Sequence, residues 1–209
     1  MGKVGVVDSM QMSTTNLFST PTDSVSKKKK TKEERLLAAT KGLNVHVVGL
    51  SIHHAAVEVR EKLAVPEASW NEASAEICGG DIEEAAVLST CNRFEVYYAA
   101  SDPRKAMASI TKYLSKRSGL PVSTLRKNIF ALSGDDAVWH LFRVSGGLDS
   151  LIVGEGQILS QVRQCHLHSI EDDGSGGKMI SRLLNQAVAA GKVRFDVERR
   201  TAGAKRQQN

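Results

Sequence analysis

The sequence predicts an α+β fold: a small, mostly antiparallel sheet with flanking helices, followed by a helical subdomain. Three observations predict it. Ala85-Ala86-Val87-Leu88 and Phe94-Glu95-Val96-Tyr97-Tyr98 are β-prone runs joined by a short polar stretch, which reads as strand, connection and strand. Other strand-like and helix-like periods interleave around that pair, the pattern of a sheet with helices packed on it. From Asp135 onward the period is helical and stays so.

Residues 1–43 mix Ser, Thr and Pro with Lys27-Lys28-Lys29-Lys30, a composition that cannot bury enough apolar surface to offset ordering. A disordered basic extension is expected there, with a helix start possible over 31–40. Folded structure should begin at Asn44, where Val45-His46-Val47-Val48-Gly49-Leu50 has the β-branched content of a strand. Val57 to Leu63 reads as a helix with Glu58, Arg60, Glu61 and Lys62 mostly on its wet side, stopped by Pro66. Apolar or small residues at 70, 73 and 77 mark a second helix ending at Gly79-Gly80. The strand pair follows. Pro103 then fits the first turn of a helix whose Ala106, Ile110 and Leu114 recur every four residues until Gly119 and Pro121 end it. Asn128-Ile129-Phe130-Ala131-Leu132 is a further short strand. Asp135 or Asp136 can cap a helix through Val138, Leu141 and Phe142 that Gly146-Gly147 breaks. Ile158, Val162 and Cys165 mark the next helix, and Leu183, Leu184, Ala187, Val188 and Gly191 a last one. The organisation expected is 44–134 as the α+β unit, 135–194 as the helical subdomain and 195–209 as a basic tail.

Bulk properties narrow the possibilities. A chain of 209 residues suits one ordinary domain or two small ones. Three cysteines at 78, 91 and 165 make neither a disulfide framework nor a CxxC metal knuckle, and point to a reducing compartment. The net charge of +5 is carried by the ends: residues 1–42 hold eight Lys/Arg against four Asp/Glu, 191–209 six against two, and 43–190 fourteen against seventeen. The folded part is therefore no broad nucleic-acid face, although basic tails add salt-dependent attraction to phosphates. No run of eighteen apolar residues exists, so no membrane-spanning helix is expected. Residues 1–22 contain Ser and Thr and few acids, which fits either the remnant of an organelle-targeting leader or a plain extension.

Between the paired strands, Ser89-Thr90-Cys91-Asn92-Arg93 presents a hydroxyl, a thiol, an amide and a guanidinium together. Turns normally recruit Gly, Pro, Asn or Asp for their backbone angles, so this set points beyond turn making. Cys91 is a candidate nucleophile whose thiolate a nearby cation such as Arg93 would favour. Arg93 could equally clamp a substrate carboxylate in bidentate fashion, and Thr90 and Asn92 offer donors to an acyl oxygen or a substrate amine. Against this stands the ordinary role of a free cysteine as a small buried apolar residue. His140 is the candidate proton handler, since an imidazole titrates near working pH. Gly154-Glu155-Gly156-Gln157 opens a helix, where free backbone N–H groups favour an anionic or carbonyl ligand, and Gln157 and Gln161 share a face. Cys165-His166-Leu167-His168 invites a metal, but on a helix His166 and His168 point about 200° apart, and His53-His54 face opposite ways if extended. No metal is expected. Gly154-x-Gly156 has Leu159 where a dinucleotide fingerprint would have its third glycine, and no clear βαβ strand precedes it.

Three blocks together resemble glutamyl-tRNA reductase. They are Ser89-Thr90-Cys91-Asn92-Arg93, the upstream Val48-Gly49-Leu50-Ser51-Ile52-His53 with Val57-Glu58-Val59-Arg60-Glu61-Lys62-Leu63, and the downstream Gly147-Leu148-Asp149-Ser150-Leu151-Ile152-Val153-Gly154-Glu155-Gly156-Gln157-Ile158-Leu159. Their order and spacing agree with that family's catalytic domain over roughly 44–194. The resemblance implies that Cys91 attacks the ester of glutamyl-tRNA to form a thioester, which NADPH reduces to glutamate-1-semialdehyde for tetrapyrrole, and hence porphyrin and chlorophyll, biosynthesis. It implies catalytic roles for Cys91 and His140, and glutamyl contacts from Thr90, Asn92, Arg93, Ser150, Glu155, Gly156, Gln157 and Gln161. It makes 44–134 the catalytic subdomain and 135–194 the part that completes the substrate site. It further implies an NADPH-binding domain after a long linking helix and a dimerisation domain, neither of which this sequence contains. A 209-residue chain with no cofactor site should then act only as an esterase.

Partners implied are glutamyl-tRNA, the next enzyme of the pathway, glutamate-1-semialdehyde aminomutase, and regulatory proteins. Several blocks look closer to plant and algal members than to bacterial ones, so a plastid stroma is the expected location, with a bacterial cytoplasm the alternative. Two rival readings remain. One is a non-catalytic tRNA- or regulator-binding remnant, for which Cys91 would not matter. The other is a generic thiol hydrolase pairing Cys91 with His140, which would accept simple esters without tRNA.

Overall fold

The computed structural model describes residues 42–150 and 156–206. The expected N-terminal extension up to residue 41, Glu155 and the last three residues of the expected tail lie outside the described residues.

A four-stranded sheet is the centre of the fold. Its strands are β1 (Asn44–Ser51), β2 (Ile82–Ser89), β3 (Arg93–Ala100) and β4 (Phe130–Ser133), in the order β2-β3-β1-β4, with every pairing antiparallel. All eight residues of β3 are buried. Because successive side chains alternate across a strand, β3 serves two cores: Phe94, Val96 and Tyr98 point to one, and Arg93, Glu95 and Tyr97 to the other. Charged groups on an otherwise apolar central strand need partners, and the second face supplies them.

Around the sheet lie α1 (Val57–Leu63), α2 (Trp70–Ile77), α3 (Pro103–Ser118), α4 (Val122–Asn128), α5 (Asp135–Ser145), α6 (Gln157–Ile170) and α7 (Lys178–Arg206). The α3 boundaries follow local chemistry: Asp102 accepts from the Arg104 and Lys105 amides, Pro103 opens the first turn, and Gly119 closes the helix at φ 69°. The outer edge of β2 would be an open template for pairing, and it is covered. Ala85 N–H donates to the Ser175 carbonyl, Val87 N–H to Ser74 Oγ, and the Cys165 thiol to the Val87 carbonyl. Glu84 reaches from β2 to the start of α7, where its Oε2 accepts from the Met179 and Ile180 amides at 2.9 and 2.8 Å, satisfying two helix-start donors with a negative charge. Gly177 is required there, since a Cβ would fall 2.2 Å from the Glu84 carboxylate.

The elements depart from the sequence expectations at several points. Helix α4 was not anticipated between Pro121 and the last strand. The strand expected from Asn128 starts at Phe130. Neither Asp135 nor Asp136 caps α5; Gly134 holds the N-cap position without a side-chain bond, and the two aspartates lie in the first turn, where the helix dipole favours them. The basic residues expected as a tail after 194 continue α7 without a break to Arg206. His53 and His54 lie in the turn after β1 rather than on an extended segment.

Candidate active site

The link between β2 and β3 is only Thr90, Cys91 and Asn92, and each of its backbone ends is held. Thr90 N–H donates to the Arg93 carbonyl at 2.8 Å, and the Thr90 hydroxyl oxygen accepts from the Asn92 amide at 3.2 Å. The Asn92 carbonyl accepts from Ile52 N–H at 3.0 Å, and the Cys91 carbonyl from Nη1 of Arg60. Arg60 was expected on the wet face of its helix; it is instead half-buried, with its guanidinium turned to the cysteine link. The Cys91 side chain is exposed. A pinned backbone with a free thiol is what a positioned nucleophile requires.

Cys91 opens onto a cleft of about 300 Å³, its mouth included, lined by Thr90, Cys91, Asn92, Arg93, Ser150, Gln157, Ile158 and Gln161. Seven of these eight are residues the sequence nominated, and they come from three separated segments of the chain. Gln157 and Gln161 reach the cleft together from the first turns of α6, as residues four apart on a helix do. Gly156 stands at the N-cap of that helix and does not line the cleft.

Arg93 lies at the base, with 1% of its side chain exposed. Its Nη1 donates to Glu95 Oε1 at 2.8 Å and to Asp149 Oδ2 at 3.0 Å, and its Nη2 to the Asp149 carbonyl at 2.7 Å. Its Nε is buried without a partner among the described residues. Burial alone would lower the arginine pKa, but Glu95 and then Asp149 outweigh it, and the net direction is upward. The guanidinium is thus a fixed cation already committed to two carboxylates.

Glu95 is the hub. It is fully buried, and besides Arg93 it accepts from the Tyr97 hydroxyl at 2.6 Å and lies 2.9 Å from Nε2 of His140. Burial would raise its pKa; the His140 hydrogen bond, the Arg93 charge and the Tyr97 hydrogen bond together hold it down at about 2. Tyr97 moves the opposite way, pushed well up by burial and by the neighbouring carboxylate. Since Glu95 is ionised, His140 Nε2 carries the proton it shares with Glu95. His140 therefore faces the carboxylate rather than the cleft, and packs on Phe130 with ring centroids 4.9 Å apart. Nε2 of His140 is engaged with Glu95, and His140 is not among the residues that line the cleft.

Gly49 makes the hub possible. It pairs with Glu95 across the sheet, and a Cβ there would fall 2.8 Å from Glu95 Cγ and 2.6 Å from the Phe94 carbonyl oxygen. Asp149 sits in the turn after α5, where Gly147 takes φ 68° and Arg194 of α7 donates to the Gly146 carbonyl. The sequence reading gave no role to Glu95, Tyr97 or Asp149. The available signal was the alternation Arg93-x-Glu95-x-Tyr97 inside a strand otherwise built for burial.

Of the remaining candidates, Cys165 is buried with its thiol pKa raised by desolvation, and Cys78 caps the end of α2. His168 is engaged with Glu67 and Glu171. Among the described residues no group of three or more His, Cys, Asp or Glu could hold a metal ion, and no helix is long and apolar enough to cross a membrane.

Comparison with known proteins identifies the family of this domain. The family model described as "Glutamyl-tRNAGlu reductase, N-terminal domain" matches residues 48–196. The chain is 49% identical over 150 residues to the chloroplastic glutamyl-tRNA reductase of Oryza sativa subsp. indica, a match covering 71% of this chain and 28% of the relative. It is 49% identical over 151 residues to the glutamyl-tRNA reductase of a Cyanothece species, covering 72% and 35%. Among solved structures, glutamyl-tRNA reductase from Methanopyrus kandleri superposes with a TM-score of 0.57 at 25% identity, covering 73% of this chain and 34% of that one. The chain spans about a third or less of the length of these relatives.

Proposed function

Because this chain belongs to the family of glutamyl-tRNA reductase N-terminal domains, we propose that it carries the site at which glutamyl-tRNA surrenders its glutamyl group to Cys91. The observation that carries the reading is convergence. The exposed thiol of Cys91, the buried cation of Arg93 and the polar side chains of Ser150, Gln157 and Gln161 meet in one cleft although up to seventy residues separate them.

In this reading the Cys91 thiolate attacks the carbonyl carbon of the ester that joins glutamate to the tRNA terminus. The C–S bond forms, the C–O bond to the tRNA ribose breaks, and the ribose oxygen leaves as a hydroxyl after taking a proton. Arg93 holds the substrate side-chain carboxylate at the base of the cleft. Ser150, Gln157 and Gln161 hold the polar groups of the glutamyl moiety, with Thr90 and Asn92 beside the reacting carbon. Gly156 stands at the N-cap of the same helix, and Glu155 lies outside the described residues. His140 supports the site through Glu95 and does not move the proton of Cys91.

NADPH, which the family name implies, does not fit the residues described. Phosphate cradles of dinucleotide domains sit after a parallel strand and before a helix, and the sheet here is wholly antiparallel. No hydride step is assigned to these residues. Residues 44–134 and 135–194 act as one unit, the first supplying the thiol and the second closing the cleft. A plastid stroma suits the chloroplastic relatives. Glutamyl-tRNA is the partner the chemistry demands; glutamate-1-semialdehyde aminomutase and regulatory proteins are natural further ones.

The test is mass spectrometry of the chain after incubation with glutamyl-tRNA. A glutamyl adduct is expected on Cys91 and lost in Cys91→Ser, because a serine hydroxyl is hardly ionised and no His, Asp or Glu lines the cleft among the described residues. An adduct on Cys78 or Cys165 would overturn the assignment, and a chain that binds tRNA without any adduct would favour a non-catalytic module.

A further inference from the structure

Asp149 holds Arg93 as a bound carboxylate would. Its Oδ2 and its own carbonyl oxygen lie 3.0 and 2.7 Å from the two terminal nitrogens, two oxygens on two donors. This is the fork geometry by which arginine takes a carboxylate ligand. The two acidic partners of Arg93 differ in mobility of role. Glu95 is fully buried and tied to Tyr97 and His140 as well. The Asp149 carboxylate is 21% exposed and, among the described residues, bonds to Arg93 alone, and its neighbour Ser150 lines the cleft.

Charge counting favours an exchange. The resting cluster sets one guanidinium against two carboxylates. A third carboxylate at the same buried cation would meet uncompensated repulsion, whereas removing Asp149 with nothing in its place would leave Arg93 with a single acid. Replacing Asp149 with a ligand carboxylate keeps the count constant. We propose that Asp149 is a specificity-determining residue of the cleft: an internal carboxylate that occupies Arg93 and yields it only to a substrate bearing a carboxylate of its own. Neutral analogues gain no partner able to displace it and are refused. This rests on Arg93 being the seat of the substrate side-chain carboxylate.

The test reads protection of Cys91 from iodoacetamide in the full 209-residue chain, followed by mass spectrometry of the Cys91 peptide, with glutarate as the probe and neutral glutaramide as its control. Asp149→Asn keeps an oxygen for Nη1 but removes the charge, so half-protection should occur at roughly tenfold lower glutarate, the scale separating a charge-assisted hydrogen bond from a neutral one. Asp149→Ser should shift the same way and stands in if the amide variant fails a near-ultraviolet circular dichroism check. A merely structural Asp149 would move protection to higher glutarate. Unchanged or weaker protection in both variants, with protection lost in Arg93→Ala, would overturn the role of Asp149 and leave Arg93 as the carboxylate seat. Protection that survives Arg93→Ala would overturn both.

Discussion

Replacing Glu95 with glutamine tests the electrostatic core of the site without changing its shape. The carboxyl group is held at about 2 from an ordinary 4.5. That difference of about 2.5 units corresponds to roughly 3 kcal/mol of stability, at about 1.4 kcal/mol per unit. The figure agrees with the cost of about 3–5 kcal/mol for removing one partner of a buried ion pair, taken at its low end because Asp149 remains on Arg93. The amide would also turn one N–H toward a donor, since its neighbours are Arg93, Tyr97 and the His140 N–H. For a domain of this size about 3 kcal/mol lowers the melting temperature by roughly 6–12 °C. The pH dependence carries a definite sign. A depressed folded pKa stabilises fully above about 4.5 and loses that contribution as pH falls from there toward 2. Thermal melts of wild type and Glu95→Gln should therefore differ above about pH 5 and converge as the pH falls below 4.5. A variant that melts within about 1 °C of wild type at pH 7, or a gap that persists undiminished at pH 3, would refute the reasoning.

Arg93→Lys keeps the charge but not the planar fork that bonds Glu95, the Asp149 carboxylate and the Asp149 carbonyl. Glutamyl transfer to Cys91 should fall by roughly ten- to a hundredfold, the worth of one lost charge-assisted bond, and transfer at the wild-type rate would remove Arg93 from the carboxylate seat. Gly49→Ala puts a methyl 2.6 Å from the Phe94 carbonyl oxygen and 2.8 Å from Glu95 Cγ. It should cost about 1–3 kcal/mol in chemical denaturation, as overpacking does, and should slow transfer through the displaced Glu95; a stable, fully active alanine variant would show that the strands part without disturbing the hub.

What the sequence made legible was whatever is written locally. The Pro103 start and Gly119 stop of α3 are read within a few residues of each helix end, and the paired apolar runs announced the β2-β3 hairpin and the thiol at its turn. Resemblance to a known family then drew Ser150, Gln157 and Gln161 toward Cys91, and the cleft brings them together. What stayed hidden depends on partners far away in the chain. Arg60 looks solvent-facing by helical period, and only the fold places its guanidinium on the Cys91 carbonyl. His140 looked like a base because imidazole usually is one; its partner lies forty-five residues earlier, on the inner face of a strand.

The same strand explains why the site could not be read from its pentapeptide alone. Cys91 and Arg93 are two residues apart, yet one is exposed at the mouth and the other has 1% of its side chain exposed. That separation arises because β3 begins between them, sending Arg93 inward while the link leaves Cys91 outside. An inward arginine must be paired, so Glu95 follows on the same face, and Glu95 in turn requires the missing side chain of Gly49, the hydroxyl of Tyr97 and the imidazole of His140. Each of these residues has an ordinary reading by itself. Taken as a chain of obligations that starts from one buried cation, they make the link that carries Cys91 the visible end of a network running from β3 to β1 and α5.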